Sequence, residues 1–185
     1  MSVLYWKDKA PGARVTVVEA NPQTAEVLKR NVARNKLSDV NVVEAAASSH
    51  SGSVDLYMPK PGIDFRWGDF VNRVPTDPSK YDKVSVPAVK LSDLITGPVD
   101  LLKVDIEGSE TDVLKEAEGK LFDVKEIMME FHNNPSHPDN SLEEIREILQ
   151  RQGFTNITVR QSGRDVDIDS LDTSREFLIT VIAKK

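Results

Sequence analysis

The sequence predicts an open α/β sheet in a single domain. Two observations carry this. Short apolar runs of strand length alternate with segments whose apolar residues recur at helical spacing. Two of those runs, Val15 to Val18 and Val99 to Leu102, end in acids: Glu19 after the first, Asp105 and Glu107 after the second. In open α/β sheets, ligands sit beyond the carboxyl ends of the strands, so both sets of acids fall at the predicted binding edge.

Taken in order, Val15 to Val18 reads as a strand. Asn21-Pro22 supplies an N-cap and a proline at the first helical position, and Ala25, Leu28 and Val32 share a helix face. Val40 to Val43 and Val54 to Met58 are further strands. Tyr57 to Tyr81, rich in Pro and Gly, reads as loop, and residues 59–82 as a loop or lid insertion. Val84 to Val86 and Val99 to Val104 are strands, joined by a short turn of helix near Ser92 to Ile95. A helix follows over Ser109 to Ala117, with Ser109 and Asp112 patterned as a capping box and Gly119 as a C-cap. Val124 to Glu130 is a strand. Ser141 and Glu144 cap a helix with apolar face Leu142, Ile145, Ile148 and Leu149, which Gly153 ends. Ile157 to Val159 and Phe177 to Ala183 are the last strands, and their polar linker, Gln161 to Arg175, reads as solvated.

Composition narrows the function. The chain has 185 residues, enough for one domain with a sizeable core, and a net charge of −6. That balance argues against a nucleic-acid partner, whose readers are usually basic. There is no cysteine, which excludes disulfides, thiolate metal sites and a Cys nucleophile. No run approaches the ~18 apolar residues of a membrane span. No signal peptide is read in the first residues, so a cytoplasmic location is the default.

The run LLKVDIEGSETDVLKEA (Leu101 to Ala117) resembles the signature of the FkbM-type methyltransferases, a strand, then K-x-D-x-E-G-x-E, then a helix. VVEANPQTAEVLKRNVARN, VVEAAASSHSGSVDLY, VSVPAVKLSDLI and EIMMEFH resemble its further segments in the right order. The resemblance implies a Rossmann-like class I methyltransferase sheet, mostly parallel with an antiparallel C-terminal strand. It implies S-adenosylmethionine (SAM) as cofactor and methyl transfer to a hydroxyl of a small metabolite, glycan or lipid-like acceptor. One departure stands out. The family's first strand and its D-x-G-A-x-x-G loop have no counterpart before Val15, so the fold is expected to be N-terminally truncated. The strands beside the gap should then close up, self-associate with another chain, or order poorly, because unpaired backbone groups cost about 1–3 kcal/mol each when buried.

For the cofactor, the expected residues are Glu19 on the ribose hydroxyls, Ala20 against the adenine face, and Asn21 and Ala46 beside them. For catalysis they are Asp105, Glu107 and His132. A strand-end carboxylate or a histidine can take the acceptor's proton. The pair Asp105 and Glu107 would suit Mg²⁺, but no metal is expected, and His137 is badly spaced to join His132. Phe65, Arg66, Trp67 and Phe70 are candidates for holding the acceptor. Arg30, Arg34 and Lys36 read as a solvated helix face. Two alternatives stand beside this reading. One is a non-catalytic module of the same fold that acts as a partner or assembly protein. The other is a nicotinamide-dependent dehydrogenase, which would need a glycine fingerprint the chain lacks.

Overall fold

A computed structural model describes residues 2–62, 70–71, 74–75 and 77–185. Phe65, Arg66 and Trp67 lie outside the described residues, and Phe70 is described only as a backbone position.

Helix α1 (Ser2–Lys9) leads to β1 (Val15–Glu19), α2 (Pro22–Arg34), β2 (Val40–Glu44) and β3 (Ala46–Ser48). Then come β4 (Gly52–Pro59), β5 (Phe70–Val71), β6 (Tyr81–Lys90), α3 (Leu91–Leu94) and β7 (Val99–Val104). The chain finishes with α4 (Glu110–Glu116), β8 (Val124–Asn133), α5 (Leu142–Arg151), β9 (Asn156–Gln161), β10 (Arg164–Asp165) and β11 (Phe177–Lys184).

These strands form three sheets. In the five-stranded sheet, ordered β10-β9-β11-β8-β7, β7 runs parallel to β8, while β11 is antiparallel to β8 and β9. This matches the expected antiparallel last strand. β1 and β2 form a separate parallel pair, and β3-β6-β4-β5 a third, mixed sheet. Among the described residues, β1 and β7 have not closed up on one another, and each is an edge strand.

Alternation along β8 decides what the large sheet covers. Ile127, Met129, Phe131 and Asn133 are buried on one face, while Glu126, Met128, Glu130 and His132 are half-buried on the other. The buried face packs on α4 and α5. Val113 and Leu114 come from α4, and Leu142, Ile145, Ile148 and Leu149 from α5. Each fully buried side chain of this size contributes about 1.5–3 kcal/mol, so this face anchors the domain. A smaller core of Ala46, Val54, Leu56, Val71, Val86 and Ala88 sits in the mixed sheet. At the N-terminal end, buried Lys7 donates to the carbonyls of Pro11 and Ala13, which ties α1 to the turn before β1.

Several local expectations hold. The Asn21 side chain caps α2, accepting from the amides of Gln23 and Thr24, and Ser141 accepts from the Glu144 amide to cap α5. Gly153, at φ +84°, follows the end of α5 in the left-handed conformation that glycine tolerates best.

Others are corrected. Ser109 makes no side-chain capping bond. It sits at ψ 15°, whereas Ser141 is extended at ψ 117°, the geometry that aims a capping oxygen back at the helix. α4 spans Glu110–Glu116 with Ala117, not Gly119, as its C-cap, and the chain continues as a 3₁₀ turn over Glu118–Asp123. The linker 161–175 is not wholly solvated, because Val166, Ile168 and Leu171 pack on the main core. The strands flanking the long loop are longer than expected. β4 and β6 pair antiparallel out to Pro59 and Tyr81, and the Lys60 amide bonds the Lys80 carbonyl at the base of the loop.

Candidate active site

β7 and β8 are registered side by side, with Lys103 beside Met128 and Val104 beside Met129, so the segments that follow leave from one edge. After Val104 the backbone turns sharply. Glu107 has φ +54° and Gly108 φ +97°. For a glutamate this left-handed conformation is strained, by roughly 1–3 kcal/mol, and such strain is found where a side chain must be aimed. Here the turn aims Glu107 at His132. The histidine Nε2 lies 3.3 Å from Glu107 Oε2, and its Nδ1 lies 2.9 Å from Glu110 Oε1. Asp105 completes a cluster in which one donor atom each from Asp105, Glu107 and His132 lie within 4.8 Å of one another. Lys103 borders it, 2.8 Å from Asp105 Oδ2 and 3.3 Å from Glu130 Oε1. Burial depresses the Lys103 pKa, but its bond and charge contacts with Asp105 and Glu130 leave it raised overall.

Beneath the cluster lies a buried polar network. Glu110 is 0% exposed. Its Oε1 accepts from the Gly108 amide at 3.0 Å and faces His132 Nδ1, and its Oε2 accepts from Asn140 Nδ2 at 2.7 Å. Asn140 also donates to the His132 carbonyl, and its Oδ1 accepts from the Thr111 amide and hydroxyl. The Ser141 amide in turn donates to Thr111 Oγ1. A buried polar group is tolerated when its partners are in place, and each of these has partners. Burial lowers the His132 pKa, but the bond and charge of Glu110, with the charges of Glu107 and Asp105, outweigh it and leave it raised.

Sequence reasoning did not single out Glu110 or Asn140. As the third acid of the K-x-D-x-E-G-x-E run, Glu110 had a signal available. Its partner lies thirty residues on, in the turn before α5. His137 is part of a turn, its amide bonding the Asn134 carbonyl, and it is not in the three-residue cluster.

The second set of predicted residues gathers at the end of β1. Glu19 Oε1 accepts from the Asn21 amide at 2.9 Å, which pins the carboxylate at the strand tip. The Asn21 side chain is occupied as the α2 cap. Ala20 packs on the small core to which Ala46 belongs, and Ala46, at 1% exposure, is registered with Ala88. The Ala45 amide bonds the Glu19 carbonyl. β3 packs against both β1 and α4. Between β3 and α4 lies a notch of about 90 Å³ lined by Ala47, Ser48, Ser109, Asp112 and Val113, among others. Arg30 and Arg34 are exposed on α2, as a solvated helix face requires, while Lys36, also exposed, lies beyond the helix and its cap Asn35.

The domain is thus α/β with an antiparallel last strand, and it carries acids and a histidine at adjacent strand ends. The pattern that defines the Methyltransferase FkbM domain matches residues 2–155, and the chain belongs to that family. It is 29% identical over 180 residues to methyltransferase sdnD of Sordaria araneosa, a match covering 82% of this chain and 68% of that protein. It is 27% identical over 141 residues to methyltransferase 1 of Beauveria bassiana, covering 67% of this chain and 57% of that one. The crystal structure of precorrin-6y C5,15-methyltransferase from Geobacter metallireducens GS-15 aligns over 97% of this chain and 71% of its own, at 12% identity and a TM-score of 0.46. No helix among the described residues is long and apolar enough to cross a membrane.

Proposed function

We propose that this domain transfers a methyl group from SAM to a hydroxyl oxygen of a small metabolite, glycan or lipid-like acceptor. The observation that carries the reading is the placement of His132, near the end of β8, between Glu107 and Glu110 and beside Asp105, which follow the neighbouring signature strand β7. Bound SAM supplies a methyl group on a sulfonium sulfur, activated toward displacement.

The residues at the β1 end fit the nucleoside half of that cofactor. A carboxylate offers about four acceptor positions, and the Asn21 amide takes one at Glu19 Oε1. The carboxylate is thereby aimed from the strand tip, where ribose hydroxyls would meet it. Asn21 holds the turn rigid, small Ala20 leaves room for a flat base, and Ala46 offers only backbone groups.

Toward the acceptor, the chain's task is alignment and proton removal. Alignment of nucleophile and methyl group accounts for most of what a displacement needs. With its Nδ1 held by Glu110, His132 takes the hydroxyl proton at Nε2, and Asp105 and Glu107 orient the hydroxyl toward it.

The test is calorimetric titration of the whole chain with SAM, followed by assay for S-adenosylhomocysteine release with a panel of hydroxylated acceptors. Binding in the micromolar range with acceptor-dependent release supports the reading. A second reading, a non-catalytic module of the same fold, is favoured by the notch beside β3. At about 90 Å³ it is well below the roughly 300–1,000 Å³ of ordinary ligand sites. An absence of heat and of thermal shift with SAM would favour that module.

A further inference from the structure

We infer that Asp105, Glu107 and His132 form a binding site for a divalent first-row cation, with two carboxylate oxygens and one imidazole nitrogen as ligands. The cation's part in methyl transfer rests on the function proposed above; its binding does not.

The first argument is spacing. The three donor atoms lie within 4.8 Å of one another. Ligands on opposite sides of a divalent cation stand about 4.0–5.2 Å apart, twice the 2.0–2.6 Å bond lengths of Mg²⁺ and Ca²⁺, so the cluster closes on an ion with little movement.

The second argument is independent of the acids. A ligating histidine almost always has its other ring nitrogen held by a carboxylate or carbonyl, which fixes the tautomer and raises the ligand's basicity. Glu110 does this here. It is wholly buried, lies 2.9 Å from Nδ1, and is itself held by the Gly108 amide and Asn140. In the neutral tautomer that donates Nδ1–H to Glu110, the Nε2 lone pair faces the cluster, 3.3 Å from Glu107 Oε2.

The third argument concerns competition. Among the described residues, Lys103 competes for the cluster, on Asp105 at 2.8 Å. It has a second carboxylate within reach, Glu130 at 3.3 Å, so it can yield Asp105 without losing its counter-charge. One imidazole with two carboxylates suits Mn²⁺ and its first-row neighbours better than Ca²⁺. With a cation bound, His132 Nε2 is a ligand and not the base assigned above; the ion would instead make an acceptor hydroxyl beside it more acidic, so that its proton leaves more readily.

The probe is Mn²⁺ alone. The whole chain, stripped with chelator, is titrated with Mn²⁺ and the free ion is followed by electron paramagnetic resonance. One bound ion per chain is expected, with affinity falling roughly 10–100-fold in Glu107→Gln, His132→Gln and the supporting variant Glu110→Gln. Pulsed resonance on the native protein should show coupling from an imidazole nitrogen, a readout that needs no variant to fold. Failure to bind Mn²⁺, bound Mn²⁺ without nitrogen coupling, or unchanged affinity in folded variants would overturn the site. SAM titration in chelator, run in parallel, separates this outcome from failure of the methyl-transfer reading.

Discussion

Glu110 Oε1 stands 2.9 Å from His132 Nδ1 with no solvent access to the carboxylate. Both of its oxygens serve as acceptors, one for the histidine and the Gly108 amide, the other for Asn140 Nδ2. Glu110→Gln replaces one acceptor with a donor of the same shape. One of those donors must then face another donor, in a place water cannot reach. The expected cost is about 1–3 kcal/mol in a denaturant titration. An unchanged midpoint would show that the network contributes nothing to folding.

His132 predicts a pH dependence of stability. Its pKa is raised in the folded protein, since the acids Glu110, Glu107 and Asp105 outweigh burial. The native state therefore holds this proton more tightly than the unfolded chain does. The contribution is complete below the unfolded value, about 6.5, and fades as pH climbs through the folded value. Denaturant midpoints taken in chelator from pH 5 upward should fall across that window in the native protein. The His132→Gln variant should lack that fall. Parallel curves for the two proteins would contradict the assignment.

The acid and histidine cluster was legible in the sequence because each member ends a recognisable strand. Asp105 and Glu107 follow Val99 to Val104, and His132 closes the run from Val124, so strand-end logic alone puts them at one edge. Glu110 and Asn140 were not legible, because the bond that joins them spans thirty residues of chain. The division into three sheets was also hidden. Each strand's own pattern says how it is buried, and says nothing of whether β1 reaches β7. Within the linker, Val166, Ile168 and Leu171 are too widely spaced among polar residues to give a period, yet they reach the core.

The two serines that open α4 and α5 share the S-x-x-acid pattern and should behave differently. Ser141 bonds the Glu144 amide, whereas Ser109 bonds no helix amide, because the left-handed turn at Glu107 and Gly108 delivers it at ψ 15°. Ser141→Ala should cost about 1 kcal/mol, as a lost N-cap does, and Asn21→Ala about the same at α2. Ser109→Ala should fall within the roughly ±0.5 kcal/mol of ordinary surface changes. Thermal melts of the three variants check the contrast, and equal losses at the two serines would refute it.

Glu19 offers a way to separate binding from folding at the proposed cofactor end. Its Oε1 accepts from the Asn21 amide, and the amide oxygen of a glutamine can accept the same bond. Glu19→Gln should therefore keep this brace on the turn into α2. What it removes is the negative charge and one face of acceptor positions, the features a pair of ribose hydroxyls would use. Bonds to a charged partner are each worth roughly 1.5–3 kcal/mol, so SAM affinity should weaken about 10-fold or more. Asn21→Ala should show the opposite signature, a lower melting temperature with a smaller effect on SAM, because the Asn21 side chain is committed to the amides of Gln23 and Thr24. If Glu19→Gln bound SAM as tightly as the native chain, the ribose role would have to pass to another residue, and the strand-end acid of β1 would be a local brace for the turn into α2.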